Sequence, residues 1–306
     1  MFDLQFFSST LTTVAPLLLA ALGALLCFRS GFFNIAIEGQ LLVAAFAGAI
    51  VAKATGDPLL AVVAACVAAI VLGAIVTVAT FVFRVDAIVA GIAANLLAAG
   101  VTALLTRQLS GGSSSIVVSE GRLPRVSADV ADRIPLVGGL IAGQTPLVFL
   151  AFALALALAW VLKRTRTGLA IRALGESVES VGGAGISVAR IRTTVTVGCG
   201  ILCGLAGAQL ALGPATSFSV GMTNGRGFTA IVAAMIGTTV ASATLGTFLF
   251  GIAEAVGLRV QLSDTGLPQP VVQMVPYILA LIVLAAASRI ALNGVDPVQR
   301  RILRQQ

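Results

Sequence analysis

Isolated polar side chains in apolar surroundings mark where this chain could act on another molecule. One group is Asn34, Glu38 and Gln40, in the stretch Ser30 to Gln40 (SGFFNIAIEGQ). A polar group at membrane depth is costly unless it pairs or meets water. These three therefore either line a path for a solute or form a cytoplasmic turn, with Glu38 beside a helix N-terminus. A second group is Thr216, Ser217, Phe218, Thr223, Asn224 and Arg226, in GPATSFSVGMTNGRG (213–227). Hydroxyls, an amide and an aromatic ring suit an uncharged polar solute with a flat or puckered ring. The other reading is an external loop capping the next span. Asn95, Gln209, Glu254 and Gln273 stand singly within spans. Each either bridges helices or touches a solute.

Catalysis finds little support. The chain has no His, and Lys53 and Lys163 are its only lysines. Neither lysine lies in a G-x-x-x-x-G-K-[ST] loop, so ATP is not bound by that route. Cys27, Cys66, Cys199 and Cys203 all fall in apolar runs and read as small packing residues. No metal site and no nucleophile arrangement is expected. A proton-driven pump would want more intramembrane titratable groups.

The elements that position these residues follow from composition. Of 306 residues, 58% are hydrophobic and 10% charged, whereas soluble domains carry about 25% charged residues. The expected fold is an all-α polytopic membrane protein, one transmembrane domain over 1–306. About nine spans are expected, within eight to ten. They cover 11–28, 39–54, 58–83, 86–106, 146–162, 193–212, 228–241, 244–260 and 270–288. The net charge of +7 reports basic cytoplasmic loops rather than nucleic acid.

The segment 163–192 carries Lys163, Arg164, Arg166, Arg172, Arg190 and Arg192 against Glu176 and Glu179. Lys and Arg resist translocation, so this loop is expected in the cytoplasm. The C-terminal tail, with Arg300, Arg301 and Arg304, is expected there too. The segment 107–145 then lies outside, and parity puts the N-terminus outside as well. Segment 107–145 reads as a flexible Gly/Ser linker followed by SADVADRI, a candidate surface helix. Within the basic loop, Thr167–Arg172 begins an amphipathic helix that Gly175 interrupts. Ser177 caps a short helix from Val178 to Ala184, and Gly185 ends it. That helix either docks on a partner or belongs to a plain basic loop.

Spans 1–4 and 6–9 form two sets, linked by span 5 and therefore opposite in orientation. Each set has a Gly-interrupted polar break between its first and second spans. Paired broken segments in inverted repeats point to a transport site.

These residues also resemble a known family. SGFFNIAIEGQLLVAAFAGAI is similar to the N-I-G-x-E-G-Q signature of permease subunits from bacterial ABC importers for nucleosides and simple sugars, with Ala36 in place of a glycine. DAIVAGIAANLLAAGVTALL (Asp86 to Leu105), RALGESVESVGGAGISVARIR and GMTNGRGFTAIVAAMIG match further segments in order and spacing. In the third of these four stretches, Ser177, Val178, Ser180 and Val181 stand where the family usually has Asn-Pro and Ala-Ala.

The resemblance implies an inner-membrane importer. The solute pathway is expected to be lined by Asn34, Glu38, Gln40, Asn95, Phe218, Asn224 and Phe228. The resemblance implies a coupling helix, with Arg172, Gly175, Glu176, Ser180, Gly185 and Ile186 meeting a cytoplasmic ATPase that carries ATP and Mg. A longer, non-identical second permease and an extracytoplasmic binding protein are the other implied partners. Nucleosides are the expected solute, with simple sugars the alternative. A stand-alone secondary transporter and a membrane scaffold are readings of another class.

Overall fold

The computed structural model describes residues 4–127, 141–237, 239–262 and 278. Its helices are α1 (Leu4–Arg29), α2 (Ile37–Thr55), α3 (Pro58–Phe81), α4 (Ala87–Leu109), α5 (Pro146–Arg164), α6 (Arg166–Glu176), α7 (Val178–Gly183), α8 (Val188–Leu212), α9 (Arg226–Met235) and α10 (Val240–Leu262). Two short strands, β1 (Ser115–Val117) and β2 (Ser217–Ser219), pair antiparallel with Ile116 opposite Phe218. Among the described residues, seven helices are long and apolar enough to cross a membrane.

Local signals start most of these helices. The Asp57 carboxylate accepts from Leu59 N at 2.8 Å, with Pro58 at the first position of α3. Asp86 does the same for α4, accepting from Ile88 N at 2.9 Å. Ser187 caps α8, accepting from Arg190 N at 3.3 Å. Such caps satisfy amide donors that the helix itself leaves open.

Helices α1 and α8 form the centre and pack on each other. Helix α8 lies against α2 and α3, while α1 lies against α9 and α10. The first helix of each half thus holds the second and third helices of the other. Small residues allow the close approach. A Cβ on Gly204 would stand 2.3 Å from the Cys66 Cα, and one on Gly200 would stand 2.7 Å from the Ile70 Cα. Small residues at helix crossings let backbones meet when no hydrophobic driving force separates helix from lipid. Leu59, Val63, Val67, Val71 and Ile75 leave one face of α3 exposed and apolar, as a lipid-facing surface requires.

Several boundaries differ from expectation. The span expected at 228–241 is α9, which ends at Met235 after 10 residues. At about 1.5 Å per residue it reaches only halfway across a bilayer core. Helices α5 and α8 extend into the basic loop, so Arg190 and Arg192 are helical. The Arg192 guanidinium lies 3.7 Å from the Phe81 ring centroid, a cation–π contact. Gly175 does not interrupt its helix, because α6 continues to Glu176. Part of 107–145 is ordered: the β-branched run Ile116–Val118 follows the serines and supplies β1. The expected span 270–288 and the SADVADRI helix fall almost wholly outside the described residues, as does Gln273.

Gly204→Ala should lower the thermal stability of the purified protein by about 1–3 kcal/mol, the usual cost of overpacking. Gly100→Ala, where nothing lies within 4 Å, should be neutral or slightly stabilising. Equal melting temperatures for the two variants would contradict the close α3–α8 crossing.

Candidate functional site

The first break, 30–36, leaves the end of α1 and runs back into the bundle. Gln40 Nε2 donates to the carbonyl of Ala69, at the midpoint of α3, at 3.1 Å. Asn34 Nδ2 lies 3.6 Å from Cys199 Sγ, at the midpoint of α8. The break therefore lies within the depth of the bundle, not at its end. Backbone at that depth must find partners in protein or water, and side chains supply them. Asn34 Oδ1 accepts from Ala36 N at 3.0 Å, and Asn34 Nδ2 donates to Gln40 Oε1 at 3.1 Å. From α4, Asn95 Oδ1 accepts from Gly39 N at 2.7 Å, and its Nδ2 donates to Ile35 O at 3.0 Å. Asn34 and Gln40 are buried, so their amides hold the N-terminus of α2 in place.

The second break crosses from the end of α8 through β2 and tight turns to α9. Asn224 and Gly225 both adopt left-handed backbone, at φ 43° and 76°. This turn brings the N-terminus of α9 onto Glu38. The Glu38 carboxylate accepts from Gly225 N at 2.8 Å and from Gly227 N at 2.6 Å. A Cβ on Gly227 would stand 2.5 Å from the Glu38 Cα, so only glycine allows this approach. Negative charge at a helix N-terminus is favourable, and a charged acceptor shortens and strengthens each bond. Glu38 thus joins the two breaks, and the N-termini of α2 and α9 meet there.

Arg226, the first residue of α9, pairs with Glu254 of α10, its Nε donating to Oε1 at 2.9 Å. Phe218 is fully buried, its ring edge-on to Phe46 at 5.3 Å. Phe228 is exposed on α9.

Above this joint, at the end of the bundle away from the basic loop, lies a cavity of ≈ 370 Å³. Its lining includes Ser9, Thr12, Thr13, Arg125, Gln209 and Arg226. Such a volume lies within the roughly 300–1,000 Å³ typical of small-molecule sites. Gln209 is buried; its Oε1 accepts from Thr145 Oγ1 at 2.6 Å, while its Nε2 has no partner among the described residues. Of the expected pathway residues, none lines this cavity. Ser9, Thr12, Thr13 and Arg125 had not been singled out in the sequence, although the hydroxyl run SSTLTT (8–13) was the available signal.

At the basic end, Ser177 caps α7 as expected, accepting from Ser180 N at 3.2 Å, and Gly185 follows it with φ 75°. Val178 and Ile186 are exposed there, as are Glu176 and Ser180. Gly175 meets the end of α1: a Cβ on it would stand 2.5 Å from the Arg29 carbonyl oxygen. Arg172 lines a small cavity with Arg29 and Lys163.

Comparison with known proteins agrees with this architecture. Residues 6–284 match the family described as "Branched-chain amino acid transport system / permease component". The guanosine ABC transporter permease protein NupQ of Bacillus subtilis is 30% identical over 286 residues, 90% of this chain and 89% of that one. The nucleoside ABC transporter permease protein NupC of Lactococcus lactis is 34% identical over 157 residues, 50% of this chain and 49% of that one. The glucose ABC transporter permease protein TsgB13 of Haloferax volcanii is 27% identical over 296 residues, 91% of this chain and 76% of that one. Among solved structures, a chain described as belonging to a metal-chelate type ABC transporter, inward-facing, matches with a TM-score of 0.50. That match is 14% identical and covers 96% of this chain and 88% of the other, a likeness of fold. With the family matched over nearly its whole length, this multi-pass membrane chain belongs to the permease subunits of ABC transporters.

Proposed function

We propose that this chain forms the translocation pathway of an ATP-driven importer for nucleosides. The observation that carries the reading is the Glu38 joint, where both breaks meet within the bundle beneath a cavity whose wall sets hydroxyl, amide and guanidinium groups among apolar ones. Similarity to the guanosine and nucleoside permeases supports the solute class. Hydroxyl and amide groups in the cavity suit the many hydrogen-bonding positions of a ribose and a base. The glucose permease relative favours a second reading, import of a simple sugar.

In this reading the basic end is cytoplasmic and the cavity faces outward. A separate ATPase subunit, carrying ATP and Mg, seats on α7. Exposed Val178 and Ile186 supply apolar anchors in an otherwise polar surface. Closure of the ATPase presses on α6, and Gly175 transmits the push to the end of α1. Helix α1 packs on α9 and α10, so its shift pulls the α9 N-terminus from Glu38. An extracytoplasmic binding protein delivers the solute, and a second, longer permease completes the path.

The deciding experiment is uptake by cells with and without this gene. Labelled nucleoside should accumulate only with the gene, and labelled pentose or hexose should not. The reverse preference would establish the sugar reading. Purified chain alone in liposomes should move no solute down an ion gradient; if it did, the carrier reading would replace this one.

Two variants probe the mechanism. Glu38→Ala leaves two helix-terminal amides without a charged acceptor, each bond being worth about 1.5–3 kcal/mol. Uptake should fall at least tenfold, with unchanged membrane insertion and faster amide exchange at 225–228. Wild-type uptake in that variant would remove Glu38 from the mechanism. Gly175→Val should leave the assembled transporter hydrolysing ATP while uptake falls by an order of magnitude. In membranes holding the permease without its ATPase, cysteine placed at Ser180 should be labelled only from the cytoplasmic side. Coupled uptake in the valine variant, or outside labelling, would refute the docking role.

A further inference from the structure

A second cavity, of ≈ 90 Å³, opens at the basic end of the bundle. Three cations from three helices line it: Arg29 of α1, Lys163 of α5 and Arg172 of α6. No carboxylate is among its lining residues, and none of the three has an ion pair among the described residues. The Nε atoms of Arg29 and Arg172 are shielded from solvent and have no hydrogen-bond partner among the described residues. A buried donor left unpaired is costly, most of all on a charged group. Thr239, Val240 and Ala241, at the start of α10, complete the wall. The N-terminus of that 23-residue helix adds partial positive charge to the same space. Ala159 and Leu162 make the rest of the wall apolar, so the three cations dominate its polar chemistry. They call for an anion with several acceptor oxygens, and guanidinium groups favour phosphate.

This cavity does not stand alone. Ala159, Val240 and Ala241 also line an apolar groove of ≈ 480 Å³ between α5 and α10. Phe152, Leu156 and Phe248 continue its walls away from the basic end. From Lys163 back to Phe152 along α5 is about 16 Å at 1.5 Å per residue. A cationic pocket thus sits at one end of an apolar trough on a membrane-spanning bundle. Free phosphate fits the pocket and leaves the trough bare, whereas a phosphate ester carrying acyl chains fits both.

We infer that pocket and groove together form a binding site for one anionic phospholipid of the leaflet on the basic side. Its phosphate lies among Arg29, Lys163 and Arg172, and an acyl chain fills the α5–α10 groove. Basic pockets between helices at this membrane face are suited to anionic headgroups. The lipid would bridge α6 to α1 and α10, and so set how firmly the coupling segment is held. This inference is independent of the solute carried.

Trp160, the chain's sole tryptophan, follows Ala159 and is exposed, which provides the reporter. The full-length protein is placed in phosphatidylcholine bilayers containing a few mole per cent of phosphatidylglycerol with brominated acyl chains. Brominated phosphatidylcholine at the same fraction is the control. The brominated anionic lipid should quench Trp160 severalfold more than the control. Arg29→Gln combined with Lys163→Gln should bring the two to equality. Ala241→Phe, which fills the groove and keeps every charge, should lower the preference as well. Inorganic phosphate, added at constant ionic strength, should not affect it. Equal quenching in the wild type, or a preference that survives both variants, would overturn the assignment. Loss of the preference on adding phosphate would mean that the pocket holds a free anion, and would overturn it too.

Discussion

The carboxylate of Glu38 is the constraint from which the rest of the arrangement follows. Two helices begin inside the bundle, where Gly39 and Gly227 are buried and Glu38 and Gly225 half-buried. Unmet donors at that depth would each cost several kcal/mol in hydrocarbon. Helix α2 meets its need with Asn34 and Asn95. Helix α9 meets its need with Glu38 itself, through Gly225 and Gly227. One side chain at the start of one half-helix therefore completes the other. Glycine at 227 is part of the same constraint, because a Cβ would strike the Glu38 backbone.

In the proposed mechanism, force reaches this joint along a short route. Helix α6 is amphipathic and buries Ile171 and Leu174. Its Gly175 rests on the last carbonyl of α1. From there α1 runs the depth of the bundle and packs on α9 and α10. The Arg226–Glu254 pair holds α9 and α10 together at the joint. A rigid-body shift of α1 can thus act on the Glu38 bonds without unfolding any element. In this mechanism the α3–α8 crossing, tightened by Gly200 and Gly204, is the frame against which α1, packed on α8, shifts.

Much of the scaffold was legible in the sequence. Apolar runs located the long helices, and Ser177 marked the start of α7; Asp57 and Ser187 cap α3 and α8 by the same local chemistry, which acts over two or three residues. The breaks were legible as polar interruptions. Their meeting was not, because Glu38 and Gly225 stand 187 residues apart and no local signal carries a long-range pairing. The half-length of α9 was hidden because only Gly237-Thr238-Thr239 separates the apolar run ending at Ile236 from the next one starting at Val240, too short an interruption to mark a helix end. Gly175 was read as a breaker on propensity. In the structure its missing side chain serves contact with α1, a tertiary demand that propensity does not report. Polar groups of the cavity above the joint come from the start of α1 and the end of α8, so the cavity emerges only once those helices are side by side.

Amide exchange at Gly225 and Gly227 in the complete transporter tests the central claim most directly. With solute, binding protein and ATP present, turnover should speed exchange of these two amides. The midpoints of α3 and α8 should remain as protected as at rest. Unchanged protection at 225 and 227 during measured transport would show that the Glu38 joint stays closed, and would contradict the account.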